Sequence, residues 1–432
     1  METSELLRRN LRGMQYPSAE HCTVVSPLTF SATGATAFYG VLVRLSDLVV
    51  DTLRDLAAGD LRRLIEPAGL GEHPMARFIS NSPSARWSAS VMRPDIVVSA
   101  GRLKVIEFNY NSILSGSSEA LILAETFGAI GQRYSLGSAV AVGTDYARLL
   151  IDLADDIAAV GPRAPRVAII YSGAERTRRF SRYFDVVFER LGHYADAVHI
   201  VELGDVDIDR GWIVTGGRRA DVAIRLFNTE SAHEMGLHLG LLAEMERVYE
   251  TVLLASSECL IFTSNIALAL LHERAEQGYV DAATRALIKN HIPWTALLRD
   301  GLIGRNGRTT ELLEFALTNR SRLVLKPLIG HSGRAIAFGV ETEARAWQEL
   351  LEAATLTGGF CVQEHVVGDR FDLPVFDPQR RGIQQHRATA VFGPFLVGRR
   401  RGNMIVRLPA EQADKAAINW ETETMRSVVM TA

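Results

Sequence analysis

Apolar residues recur at helical spacing through residues 1–90, and Leu45, Leu48, Val49, Leu53 and Leu56 fall on one face of a helix predicted near 41–58. At residues 95–100 and 103–109 the period shortens to that of strands. The Gly101-Arg102 pair between them predicts a tight hairpin. Helical spacing resumes over 117–160. A short apolar run at 166–171 ends at Ser172-Gly173 and precedes a helix expected over 174–191, with further strands at 199–202 and 221–225. Strand, loop, helix and strand in that order predict a parallel α/β unit. The Ser172-Gly173 corner has neither of the phosphate-loop spacings, so plain topology accounts for it. Beyond 255, helices over 264–275 and 281–290 stop at Pro293. β-rich pieces at 323–326, 335–338, 360–364, 388–391 and 404–408, with a helix over 341–354, predict an antiparallel sheet. The changes of period divide the chain into a helix-rich lobe at 1–160 carrying the hairpin at 90–112, an α/β lobe at 161–255, and a third region at 256–432. The fold class this predicts is α/β (α+β), with a central parallel α/β lobe.

Composition narrows the picture. A chain of 432 residues that is 47% apolar can bury a sizeable core in two or three lobes, which excludes a disordered or fibrous protein. Lys plus Arg (47) nearly balances Asp plus Glu (50), and a net charge of −3 provides no broad basic field, so nucleic acid is not expected as a partner. Cys22, Cys259 and Cys361 lie far apart with no CxxC pair and no secretory segment ahead of them, the pattern of a reducing, cytoplasmic setting. The apolar stretch at 251–271 is interrupted by Ser256, Ser257, Glu258, Ser264 and Asn265, so no membrane span is expected.

Three clusters carry candidate chemistry. On the hairpin, alternation puts Glu107 and Asn109 on one face, Phe108 on the other, and Asp95 in a position to lie opposite them. Two carboxylates about 4 Å apart repel by about 1 kcal/mol in water and about 4 kcal/mol at an effective dielectric of 20, so the arrangement wants a cation. Oxygen donors alone favour Mg²⁺ bridging phosphates. Arg93, two residues before Asp95, would share the face and could meet a phosphate oxygen. Taken alone, the same residues also suit an exposed hairpin whose charges face water.

The second cluster is Lys326, closing an apolar strand, followed by Pro327 and the loop Gly330, His331, Ser332, Gly333 and Arg334. A lysine with a buried stem must find an anion, and the two glycines let backbone amides approach phosphate oxygens. An ordinary hairpin with Lys326 snorkelling to solvent fits the segment equally well. In the third cluster, Gln363, Glu364, His365 and Val366 leave an apolar strand as an adenine-binding connector would, or simply as a strand end. Arg225 and Arg407, each at a strand end, and Asn111 beyond Asn109 are candidate substrate contacts, although most arginines form surface ion pairs.

Together these segments resemble the ATP-grasp superfamily, in the circularly permuted branch that includes glutathionylspermidine synthetase and related amide ligases. The motifs cover residues 90–125 and 255–425, and the metal-binding strands precede the lysine strand in the chain, as in that branch. The resemblance implies phosphate binding by Arg93, metal coordination by Asp95, Glu107 and Asn109, and a nucleotide-phosphate lysine at Lys326. It also implies a mobile loop at 330–334 that brings Arg334 over ATP, with Gln363, Glu364 and Val366 along the adenine and ribose connector. Relatives carry Asn-Lys where this chain has Asn265-Ile266, and Lys289 is the candidate replacement. The N-terminal lobe and residues 368–387 match nothing in the family and are expected to touch substrates. No amidase-like Cys-His arrangement is visible. The implied activity is an ATP- and Mg²⁺-dependent ligase that activates a small carboxylate, free or carrier-bound, as an acyl phosphate and joins it to an amine, as in small-molecule biosynthesis. A phosphotransferase and a catalytically silent nucleotide-binding protein remain the alternatives.

Overall fold

The computed structural model of the chain describes residues 2–11, 22–111, 113–134, 139–158, 165–173, 181–193, 198–227, 239–299, 301–305, 308–330, 335–409 and 424–431. The long predicted helix runs over Ala32–Ala57. The Ser31 hydroxyl caps it by accepting from the Gly34 amide at 3.0 Å, and it ends where Ala58 turns left-handed at φ 47°. Leu45, Val49 and Leu53 are buried as the periodicity predicts, whereas Leu56 is 43% exposed and Ala57 takes the inward position. By length and mean hydropathy this helix could cross a bilayer, but its apolar side is buried in the core of the molecule.

The parallel unit is present. Its strands run in the order Val252–Leu254, Val222–Leu226, Val167–Tyr171 and Val198–Glu202, all parallel. The two central strands are almost wholly buried, which explains their unbroken apolar runs. The helix expected over 174–191 is seen from Ser181 to Gly192, and its predicted beginning lies outside the described residues.

The later β-rich pieces do not form one sheet. Thr295–Leu297, Phe360–Glu364, Leu323–Pro327 and Ala337–Phe338 make a four-stranded antiparallel sheet, in that order. The piece at 388–391 is split between Gly382–Thr389 and Val391–Val397. Val391–Val397 and Arg400–Pro409 instead join the hairpin Asp95–Ser99 and Arg102–Glu107 in an eight-stranded sheet. That pairing links residues hundreds of positions apart, which local periodicity does not encode.

Alternation along the large sheet gives it two faces. Ile96, Phe392, Met404 and Val406 pack on the side of the Ala32–Ala57 helix. Phe395, Val397, Ile405 and Val428 pack on the opposite side, with the helices Ser117–Tyr134 and Tyr146–Ala158. Asp95, Arg407 and Arg426 alternate with the first set, so their charges face the second side. Each fully buried Leu or Val contributes about 1.5–3 kcal/mol.

Candidate active site

Asp95 opens one strand of the hairpin, and its register partner on the other strand is Glu107. The ladder shifts register between Asp95 and Ile96, a local bulge that re-aims the carboxylate end of the hairpin. Asn109 lies beyond Glu107, and its carbonyl accepts from the Arg93 amide at 2.8 Å. The Arg93 side chain, 5% exposed, donates to the Ser115 carbonyl at 2.5 Å and to the Ser115 hydroxyl at 3.1 Å. It also lies 3.5 Å from Asp95 Oδ1. Gly393 makes room for it, since a Cβ there would fall 3.1 Å from Arg93 Cδ.

Arg407, 1% exposed, reaches the same carboxylate from the neighbouring strands, with Nη2 2.7 Å from Asp95 Oδ1. Directly opposite Arg407 in register stands Arg426, paired with the buried Glu119 at 3.4 Å in the first turn of the Ser117–Tyr134 helix.

Lys326 arrives from the other sheet. Its Nζ donates to Gln363 Oε1 at 2.7 Å and to the carbonyl of Ile106 at 3.2 Å, the residue before Glu107. Three cations (Arg93, Arg407, Lys326) therefore surround two carboxylates. Burial pushes the Glu107 carboxyl up, and the Asp95 charge adds to this, against Lys326, Arg93 and Arg407. Burial works to raise Asp95 as well, but Arg407 and Arg93, then Lys326, overcome it and hold that carboxyl low. Burial lowers the Lys326 ammonium, against Glu107, Cys361 and Asp95. The Cys361 thiol opposite Lys326 is pushed by burial to about 12, so it is no nucleophile at neutral pH.

The oxygen-rich set of Asp95, Glu107 and Asn109 fits a hard divalent cation. Burial and the facing Asp95 charge both disfavour an ionised Glu107, and a cation between the two would favour the charged form.

Other sequence candidates are placed differently. Gln363 is 2% exposed and turned inward, its amide donating to Thr295 Oγ1 at 3.1 Å, so it orients Lys326 rather than lining an open base pocket. Glu364 pairs with Arg305 at 3.2 Å, and that guanidinium lies over the Trp294 ring at 4.9 Å. Val366 follows on the link out of the strand. Lys289 pairs with Glu276 at 2.7 Å between two helices. Arg225 is buried in an ion pair with Glu246 at 2.6 Å, in the parallel sheet. The Asn111 side chain accepts from the Ile113 amide at 3.3 Å. Gly330 is exposed at the end of the lysine loop, while His331, Ser332, Gly333 and Arg334 lie outside the described residues.

Reading the sequence alone misses Ser115 and Ser117. Ser117 is 3% exposed, and its hydroxyl has no hydrogen-bond partner among the described residues, at the first position of the Ser117–Tyr134 helix. The serine-rich run 115–118 soon after Asn109 is the signal that could have found them. The segment 368–387 lies largely in a three-stranded sheet separate from the one that carries Asp95 and Arg407. It forms the hairpin of Arg370–Asp377 and Gly382–Thr389, joined by Thr23–Val24.

No protein-family model matches the sequence, and no curated protein matches it. Among solved structures, a glutathione synthetase-like effector from Globodera pallida in its apo form is similar at a TM-score of 0.60 and 10% identity, over 100% of this chain and 96% of that one. A putative gamma-glutamylcysteine synthetase from Methylobacillus flagellatus is more distant, at a TM-score of 0.43 and 12% identity over 84% and 83% of the two chains. D-alanyl-alanine synthetase A from Vibrio cholerae is further away, at 0.26 and 9% over 62% and 88%. The likeness that spans the whole chain gives it the α/β architecture of a glutathione synthetase-like protein, a fold of the ATP-grasp type.

Proposed function

We propose that this chain is an ATP-dependent ligase that phosphorylates a small carboxylate substrate and joins the resulting acyl phosphate to an amine. One observation carries the reading: Lys326 Nζ meets the Ile106 carbonyl at 3.2 Å, which sets the lysine strand against the carboxylate hairpin from 220 positions away. The order of those two parts along the chain, hairpin first, supports the resemblance to the circularly permuted branch.

Asp95, Glu107 and Asn109 would hold Mg²⁺, which would supply positive charge against the ATP phosphates. Lys326, fixed by Gln363, places a cation beside the nucleotide phosphates. Arg93 and Arg407 face the same region and offset charge as the γ-phosphoryl leaves its bridging oxygen for a carboxylate oxygen of the substrate. Products of that step are ADP and an acyl phosphate. The amine nitrogen then attacks the acyl carbon, the C–O bond to phosphate breaks, and the nitrogen releases a proton. The chain contributes positioning and charge rather than a covalent intermediate.

Hydroxylamine tests the reading. An acyl phosphate formed from ATP and a panel of small carboxylic acids would be trapped as a hydroxamate, with release of one ADP per trap. ATP-dependent phosphorylation that yields no hydroxamate with any acid would point to an alcohol acceptor and overturn the ligase reading.

A further inference from the structure

We infer that Asp369 is a positioning residue that holds the metal-binding hairpin at its working distance from the lysine sheet, an inference that rests on the nucleotide reading above. The hairpin turns through Ala100 and Gly101, both left-handed, at φ 49° and 70°. Two successive amides in that conformation form a concave anion-binding nest. The Asp369 carboxylate fills it, with Oδ1 accepting from the Ala100 amide at 2.8 Å and Oδ2 from the Gly101 amide at 2.8 Å. Its own amide donates to the Val98 carbonyl at 2.7 Å. Hydrogen bonds to an ionised acceptor are about twice as strong as neutral ones.

The chain reaches this position by a short route. Only residues 365–368 separate Asp369 from Glu364, the last residue of the strand beside Lys326. Gly368 permits the approach, because a Cβ there would lie 2.8 Å from Val97 Cγ1 and 3.3 Å from Thr389 Cγ2. The link from the lysine sheet therefore ends as a peg in the turn of the hairpin.

The hairpin needs such a peg. Among the described residues Arg102–Glu107 is the edge strand of its sheet, so Glu107 is held there by a ladder on one side only. The register shift between Asp95 and Ile96 breaks that ladder near the carboxylates. A fixed turn at the far end limits how the pair can tilt relative to Lys326. Asp369 touches none of the three oxygen donors, so it acts through the backbone they share.

The test uses the full-length protein and two variants, Asp369→Ala and Asp369→Asn. Mg²⁺ is titrated into each with saturating ADP, and ADP affinity is measured separately without Mg²⁺. The Mg²⁺ half-saturation is expected to rise about tenfold in Asp369→Ala, as for other groups that orient metal ligands, and less in Asp369→Asn, which keeps one acceptor. ADP affinity without Mg²⁺ is expected to stay at the wild-type value. Unchanged Mg²⁺ affinity in Asp369→Ala overturns the inference, and so does an equal loss of Mg²⁺-free ADP affinity, which marks a general structural role. A wild-type protein that binds no ADP with or without Mg²⁺ overturns the nucleotide reading and this inference with it.

Discussion

Arg407 Nη2 lies 2.7 Å from Asp95 Oδ1, an ion pair between a residue near the C-terminus and one on the early hairpin, with Arg407 only 1% exposed. Replacing Arg407 by Met leaves Asp95 with Arg93 at 3.5 Å as its nearer cation. Breaking a buried pair from one side costs about 3–5 kcal/mol, and denaturant titration of Arg407→Met should show a loss of that order. Turnover should fall by at least about a hundredfold. In the double variant Asp95→Asn with Arg407→Met, stability should partly return while turnover stays lost, because the carboxylate that lost its nearer partner is gone but so is the proposed metal ligand.

Glu107 behaves in the opposite sense. Its carboxyl is raised in the folded protein by burial and by Asp95, so its contribution to stability is full below the unfolded value and is lost as pH rises through the folded one. Glu107→Gln removes that loss. Its unfolding free energy should therefore change less than wild type between acid and alkaline conditions, while ATP turnover drops by about a hundredfold or more. Wild-type turnover in this variant would remove Glu107 from the metal set.

Gln363 holds Lys326 Nζ at 2.7 Å and ties it to Thr295. Gln363→Leu keeps the volume and removes the anchor. Steady-state kinetics should show ATP KM raised about tenfold with a smaller change in kcat, the signature of a weakened ground-state contact.

His272, 4% exposed, packs its ring by the Ile292 carbonyl at 3.3 Å, and burial lowers it from 6.5 to about 4. Because the folded value is depressed, its stability is fully present above the unfolded value of 6.5 and is lost as pH falls toward 4. At about 1.36 kcal/mol per unit, the protein should lose about 3 kcal/mol over that window from this group alone. Denaturation curves at several pH values should flatten there in His272→Gln, and an unaltered acid limb would assign the loss elsewhere.

How much of this was legible in the sequence depends on how far apart the partners lie. The hairpin and the Lys326 strand each announce themselves locally, by alternation, a tight turn and the spacing of Arg93, Asp95, Glu107 and Asn109. Arg407 could be marked only as an arginine at a strand end, since nothing local says that Val391–Val397 carries Arg400–Pro409 beside the hairpin. Gln363 looked like a base contact because its inward direction depends on register with Lys326's strand. The hairpin Leu302–Arg305 and Arg308–Glu311 was invisible for a different reason. Its strands are four residues long with charges at their ends, too short for a period to show, yet it delivers Arg305 to Glu364. Leu56 and Ala57 exchanged roles because a helical turn of 3.6 residues drifts off any fixed spacing by the end of a long helix.

The account stands on Mg²⁺ and nucleotide phosphates being gripped together by the hairpin and the lysine strand. Calorimetric titration of a non-hydrolysable ATP analogue with Mg²⁺ into wild type, Glu107→Ala and Lys326→Ala tests this most directly. One site per chain is predicted for wild type, with affinity reduced at least about a hundredfold in each variant. Equal affinity in all three proteins would contradict it.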